Sequence, residues 1–166
     1  NDAILYEAQC AWDQLALWSF DRPSVALRED LEAHMRRTVA HLDAHCPWVV
    51  KDPRLCQTLP YWLPFLSRPV IVLTSREPVE VVGSLVARNR ISVAHALAIW
   101  EYSVVGALAG SRGLPTVRVS YEQFAQAPVA ATQELYDALS RAGVSGLHMP
   151  DAAAIERWEV VRLLVV

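Results

Sequence analysis

Arg76 and Ser84, eight residues apart, are the pair in this chain best suited to hold an oxyanion. A guanidinium offers a planar fork of N–H donors that matches phosphate geometry, and a hydroxyl adds one more. Arg76 follows Val70-Ile71-Val72-Leu73-Thr74, a short β-branched run that predicts a strand buried on both faces of a parallel sheet. Pro78 stands where a helix would open, since its fixed φ suits the first turn and its missing N–H is not needed there. Val79, Val82, Leu85 and Val86 give that helix one apolar face. The stretch reads strand, tight turn, helix. Arg76 then lies at the carboxyl end of the strand, where open α/β sheets bind ligands, beside a helix N-terminus that favours phosphate.

Two other short apolar runs have to position the remaining polar residues. Trp48-Val49-Val50 predicts a strand over 48–51 that delivers Lys51-Asp52-Pro53-Arg54, 25 residues before Arg76 and at the same sheet edge. Residues 116–119 predict a third strand, followed by Ser120-Tyr121-Glu122-Gln123-Phe124. Between and around them, apolar periods predict helices over 2–18 and 27–44, and a kinked or broken one over 55–66 because of Pro60 and Pro64. Ser92 is a fair N-cap for a long helix to about Gly110, and Pro128 opens another that Gly143 follows. One more helix is expected from Asp151 through Trp158, and a turn at 21–24. Strands alternating with helices predict an α/β domain of three layers, a parallel sheet with helices on both faces.

The 166 residues are one domain of ordinary size, and 53% apolar against 20% charged residues makes it globular. A net charge of −3 gives no electrostatic reason to expect a nucleic-acid partner, though it leaves room for a local basic pocket. Cys10, Cys46 and Cys56 have no Cys-x-x-Cys spacing and read as small buried hydrophobes in a reducing, cytoplasmic setting. His34, His41 and His45 lie near one helix face without well-placed acidic ligands, so a solvated face is expected there and no metal. No run approaches the ~20 apolar residues of a membrane span. The chain opens on Asn1-Asp2 without a methionine or a basic signal region and closes on an uncapped apolar run at 163–166. Both ends read as cut from a longer protein.

The Ser-Arg-x-Pro segment at Arg76, with Ser84 eight residues on, resembles the 3′-phosphate-binding segment of the sulfotransferases. These enzymes use 3′-phosphoadenosine 5′-phosphosulfate (PAPS), and the resemblance implies that Arg76 and Ser84 grip its 3′-phosphate. Lys51-Asp52-Pro53 resembles the Lys-Asp-Pro of tyrosylprotein and bacterial sulfotransferases. There the lysine stabilises charge on the leaving phosphate, which implies a catalytic role for Lys51. A fixed cation lowers the barrier because sulfuryl transfer builds negative charge on the bridging and equatorial oxygens. Asp52 is open between a general base and an N-cap or ion pair with Arg54 that shapes the loop. Val119-Ser120-Tyr121-Glu122 resembles the family's Tyr-Glu segment, whose tyrosine contacts the adenine. The resemblance spans most of residues 1–145 and implies a P-loop-NTPase-like sulfotransferase fold.

One family element has no counterpart. Sulfotransferases wrap the 5′-phosphosulfate with a Ser-Gly-Thr-type loop, and none of the six glycines here lies in such a loop. The expectation is an N-terminally truncated domain that begins after it, holding half of a nucleotide site and inactive alone. No residue matches the histidine base of the phenol-type enzymes. The expected reaction is sulfuryl transfer from PAPS to a hydroxyl or amine of a small-molecule, glycan or peptide acceptor, with no metal. The alternatives are another P-loop-type enzyme such as a small kinase, or a non-catalytic α/β interaction module.

Overall fold

The computed structural model describes residues 1–13 and 25–157. Of the expected elements, the turn at 21–24, residues 14–18 of the helix over 2–18 and the tail-helix end at Trp158 lie outside these residues. The order of elements is α1 (Asp2–Glu7), α2 (Glu29–Asp43), α3 (Leu55–Trp62), a 3₁₀ turn (Leu63–Phe65), β1 (Ile71–Ser75), α4 (Pro78–Asn89) and α5 (Val93–Gly110). Then follow β2 (Thr116–Ser120), α6 (Tyr121–Gln126), α7 (Pro128–Arg141) and α8 (Ala152–Arg157).

β1 and β2 form a parallel pair in which Ile71 faces Thr116 and Ser75 faces Ser120. The α4–α5 crossover that separates them in sequence is what parallel pairing requires. The expected helix over 2–18 stops at Glu7. The Cys10 N–H donates to Leu5 C=O at 2.9 Å and the Gln9 N–H to Tyr6 C=O at 3.0 Å, with Gln9 at φ 53°. That is a Schellman ending, which satisfies the last carbonyls and turns the chain. The expected break after α3 falls at Leu63, where Pro64 sits in the first positions of the 3₁₀ turn. Ser92 caps α5 as its type suggests, its Oγ accepting from the His95 N–H at 3.2 Å.

Two apolar clusters carry the packing. Val81 and Leu85 of α4 meet Ala96 and Ile99 of α5, with Trp12 packed against them. Ile4, Met35 and Tyr61 join α1, α2 and α3. Farther along the same face of α5, Ser103, Gly106 and Gly110 are small enough for α3 to come close. A Cβ on Gly110 would lie 3.5 Å from Leu59 Cδ2. α5 is thus covered along one face, by α4 near its start and by α3 toward its end. Its 18 residues have a mean hydropathy of 1.3, enough by length and composition alone to cross a membrane, and Val93, Leu97, Val105 and Leu108 remain exposed.

The expected strand over 48–51 does not form. These residues are irregular, with Val49 85% and Val50 48% exposed. β-branched residues favour a strand only where a neighbouring strand takes up the backbone N–H and C=O groups. Among the described residues β1 pairs with β2 alone. β1 is correspondingly not buried on both faces, since Val72 and Ser75 are exposed. The architecture is a mixed α/β domain around a two-stranded parallel pair; a three-layer sheet would need more strands than these.

Candidate functional site

The register of the sheet builds the first cluster. Because Ser75 pairs with Ser120, the residues that follow them, Arg76 and Tyr121, leave the two strands side by side at their carboxyl ends. The Arg76 guanidinium carbon lies 4.5 Å from the centre of the Tyr121 ring, a cation–π stack. Its Nε and Nη2 both donate to Glu80 Oε2, at 3.0 and 2.6 Å.

Glu122 ties the same corner together. Its Oε1 accepts from the Glu77 N–H at 2.9 Å, and its Oε2 accepts from the Ser120 hydroxyl at 2.5 Å. The Ser120 Oγ in turn accepts from the N–H groups of Glu122 and Gln123 and so caps α6. These bonds hold the Glu122 carboxyl below the usual carboxylate range, the Ser120 hydroxyl contributing most and the Glu77 amide next. The N-terminus of α4, expected to be open to a phosphate, thus already meets a carboxylate.

Ser84 is exposed on α4, about 9 Å along the helix axis from Pro78. It follows Glu80 by four residues, so the two share one side of the helix, while Arg76 precedes the helix and reaches it through its bonds to Glu80. No hydrogen bond joins Ser84 to Arg76. Arg88, one further step along the same side, is a residue that the sequence reading missed. Its signal is the spacing Arg76, Glu80, Ser84, Arg88, visible as i, i+4, i+8, i+12.

Arg88 reaches the second cluster, a cleft of about 470 Å³. Trp12, Lys51, Asp52, Arg54, Arg88 and Ser103 are among the residues that line it. Arg76, Ser84 and Tyr121 do not line this cleft. The structure therefore brings together Arg76 with Tyr121, and Lys51 with Asp52, and places Ser84 between the two groups on α4.

Lys51 is exposed, in an irregular loop instead of at the end of a buried strand. Asp52 anchors that loop. Its carboxylate accepts from the Arg54 N–H and Nε, both at 2.9 Å, from Arg54 Nη2 at 2.7 Å and from Asn1 Nδ2 at 2.7 Å. Arg54 also pairs with Asp2. The Arg54 guanidinium is the main cause that holds the Asp52 carboxyl far below its ordinary value. A carboxylate held so low is a weak base, and its geometry is that of the loop-shaping ion pair. Burial pushes the nearby Cys56 thiol up to about 11, so it stays protonated and unreactive at neutral pH.

A pH dependence follows. The Asp52 pKa is depressed in the folded state, so its contribution is fully present above the ordinary carboxylate pKa, roughly 4, and is lost as the pH falls below that. The stability gap between the wild type and Asp52→Asn should shrink steadily between about pH 5 and pH 2 in urea titrations. A gap that is constant over this window would mean that the pair contributes nothing through its charge.

Comparison with family models, with curated proteins and with solved structures returns no match for this chain. The two clusters offer a stacked arginine beside an aromatic ring, and a cleft lined by Lys51, Arg54 and Arg88.

Proposed function

We propose that this chain carries the nucleotide 3′-phosphate site of a PAPS-dependent sulfotransferase, which moves a sulfuryl group to a hydroxyl or amine acceptor. The observation that carries the reading is the 4.5 Å stack of Arg76 on Tyr121 at the carboxyl ends of a parallel pair. A phosphate and a purine on one nucleotide require a cation and a flat aromatic surface within a few ångströms of each other. Ser84 adds a hydroxyl on the side of α4 that carries Glu80. Lys51 and Arg88, in the cleft beyond it, would face the sulfuryl end, where charge builds during transfer. Asp52 serves this site by holding the loop of Lys51. The acceptor, a small molecule, glycan or peptide, would enter through the cleft.

Calorimetry with adenosine 3′,5′-bisphosphate and with adenosine 5′-phosphate tests the reading. Arg76→Ala should weaken the first by roughly 10- to 100-fold, the worth of hydrogen bonds to a charged group, and the second hardly at all. Equal losses for both nucleotides would show that Arg76 does not read the 3′ group.

One observation favours a second reading, a non-catalytic α/β interaction module. Glu80 and Glu122 already supply carboxylates to the guanidinium and to the α4 N-terminus. Absence of any binding by either nucleotide would favour that module.

A further inference from the structure

We propose that Glu80 is a positioning residue for an anion site at Arg76, clamping one edge of the guanidinium so that its other edge is presented to a phosphate monoester. The nucleotide assignment rests on the sulfotransferase reading above; the clamp rests on geometry alone.

A guanidinium has five N–H donors, in a side edge of Nε and Nη2 and a terminal edge of Nη1 and Nη2. Glu80 Oε2 takes the side edge with two bonds, at 3.0 and 2.6 Å. Tyr121 covers the face of the group at 4.5 Å. One N–H of Nη2 and both of Nη1 remain, and among the described residues no hydrogen bond goes to Nη1. Those donors lie in one plane and match two oxygens of a phosphate. The side chain of Arg76 is 25% exposed and that of Glu80 57% exposed, so the guanidinium is shielded yet still reachable from solvent.

An exposed i, i+4 ion pair by itself stabilises a helix only weakly and orders neither partner strictly. Here a third element intervenes, because Tyr121 opens α6 just after the neighbouring strand and covers the face of the guanidinium. An edge clamp and a face support together remove the freedom that a flexible side chain would otherwise lose on binding a ligand. A clamp strengthens anion binding, whereas a carboxylate that merely competed with the anion would weaken it. The two roles predict opposite signs.

The test follows the Arg76 Nε–Hε signal by NMR in the wild type, Glu80→Leu and Glu80→Gln, each titrated with inorganic phosphate. In the wild type the signal should be protected from solvent exchange and should move on titration. Glu80→Leu should lose the protection and bind phosphate about 3- to 10-fold more weakly. Glu80→Gln keeps a carbonyl that can accept both N–H groups and should bind at least as well as the wild type. Unchanged or tighter binding by Glu80→Leu overturns the clamp. So does a Glu80→Gln protein that behaves like Glu80→Leu, or a wild-type signal that ignores phosphate. A Glu80-dependent phosphate response with no preference for adenosine 3′,5′-bisphosphate over adenosine 5′-phosphate would leave the clamp standing and remove the sulfotransferase reading.

Discussion

On the proposed sulfotransferase reading, replacing Lys51 by alanine is expected to lower kcat for sulfuryl transfer by roughly 10²–10³ while leaving nucleotide affinity nearly unchanged. The bridging oxygen gains charge only as the sulfur–oxygen bond breaks, so a cation beside it acts on the transition state more than on the bound nucleotide. Lys51 is exposed, but its loop is not loose. The next residue, Asp52, is held by three bonds from Arg54 and one from Asn1, so the backbone that carries the ammonium is fixed. Arg88, which lines the same cleft, supplies a second positive charge. Lys51→Arg should restore little, because a planar guanidinium cannot place its charge at the same point. The measurement is single-turnover transfer from PAPS with the complete protein, beside calorimetry for affinity. A rise in KM with kcat intact would make Lys51 a binding residue and sink the catalytic role.

The largest effect on stability is expected at Ile99. It is 1% exposed and packs with Val81, Leu85 and Ala96 in the seam between α4 and α5. Ile99→Ala removes three carbons from a fully buried position and leaves a cavity, at a cost of about 2–4 kcal/mol. Val93→Ala on the same helix is the control, since Val93 is 63% exposed and its loss should stay within about 0.5 kcal/mol. Urea unfolding of both variants provides the comparison. A cost below about 1 kcal/mol at Ile99 would mean that α4 and α5 are not held by this seam. Because α4 carries Glu80, Ser84 and Arg88, loosening the seam should also weaken phosphate binding at Arg76.

What could be read in the sequence depended on whether the signal was local. Ser92 caps α5 and Pro128 opens α7 through bonds or φ restrictions confined to neighbouring residues, so residue type was enough. β1 was legible as a short apolar run and β2 as a β-branched stretch, Thr-Val-Arg-Val, and each finds the other. Trp48-Val49-Val50 has the same character and does not become a strand, because its outcome depends on a partner edge that its own residues do not encode. α6 went unread because its start depends on the Ser120 hydroxyl as a cap, in a segment better known for Tyr121. For the site, the type and order of Lys51, Arg76, Ser84 and Tyr121 were visible. Their division into two groups was not, since the Arg76–Tyr121 stack follows from strand register and the cleft from how α3, α4 and α5 pack.

That register has a thermodynamic consequence. Arg76 and Tyr121 are the residues next after Ser75 and Ser120, so a slip of one residue between β1 and β2 would offset them by about 3.3 Å along the strands. A ligand that engages both residues can bind only the correctly paired sheet, and its binding energy is therefore also pairing energy. At a concentration 100 times its Kd such a ligand would add about 2.7 kcal/mol to the stability of the folded state. For a sheet of only two five-residue strands this is a large increment. The small molecule would act as a splint across the seam, raising the melting temperature and slowing exchange of the β1 and β2 amides before any reaction takes place.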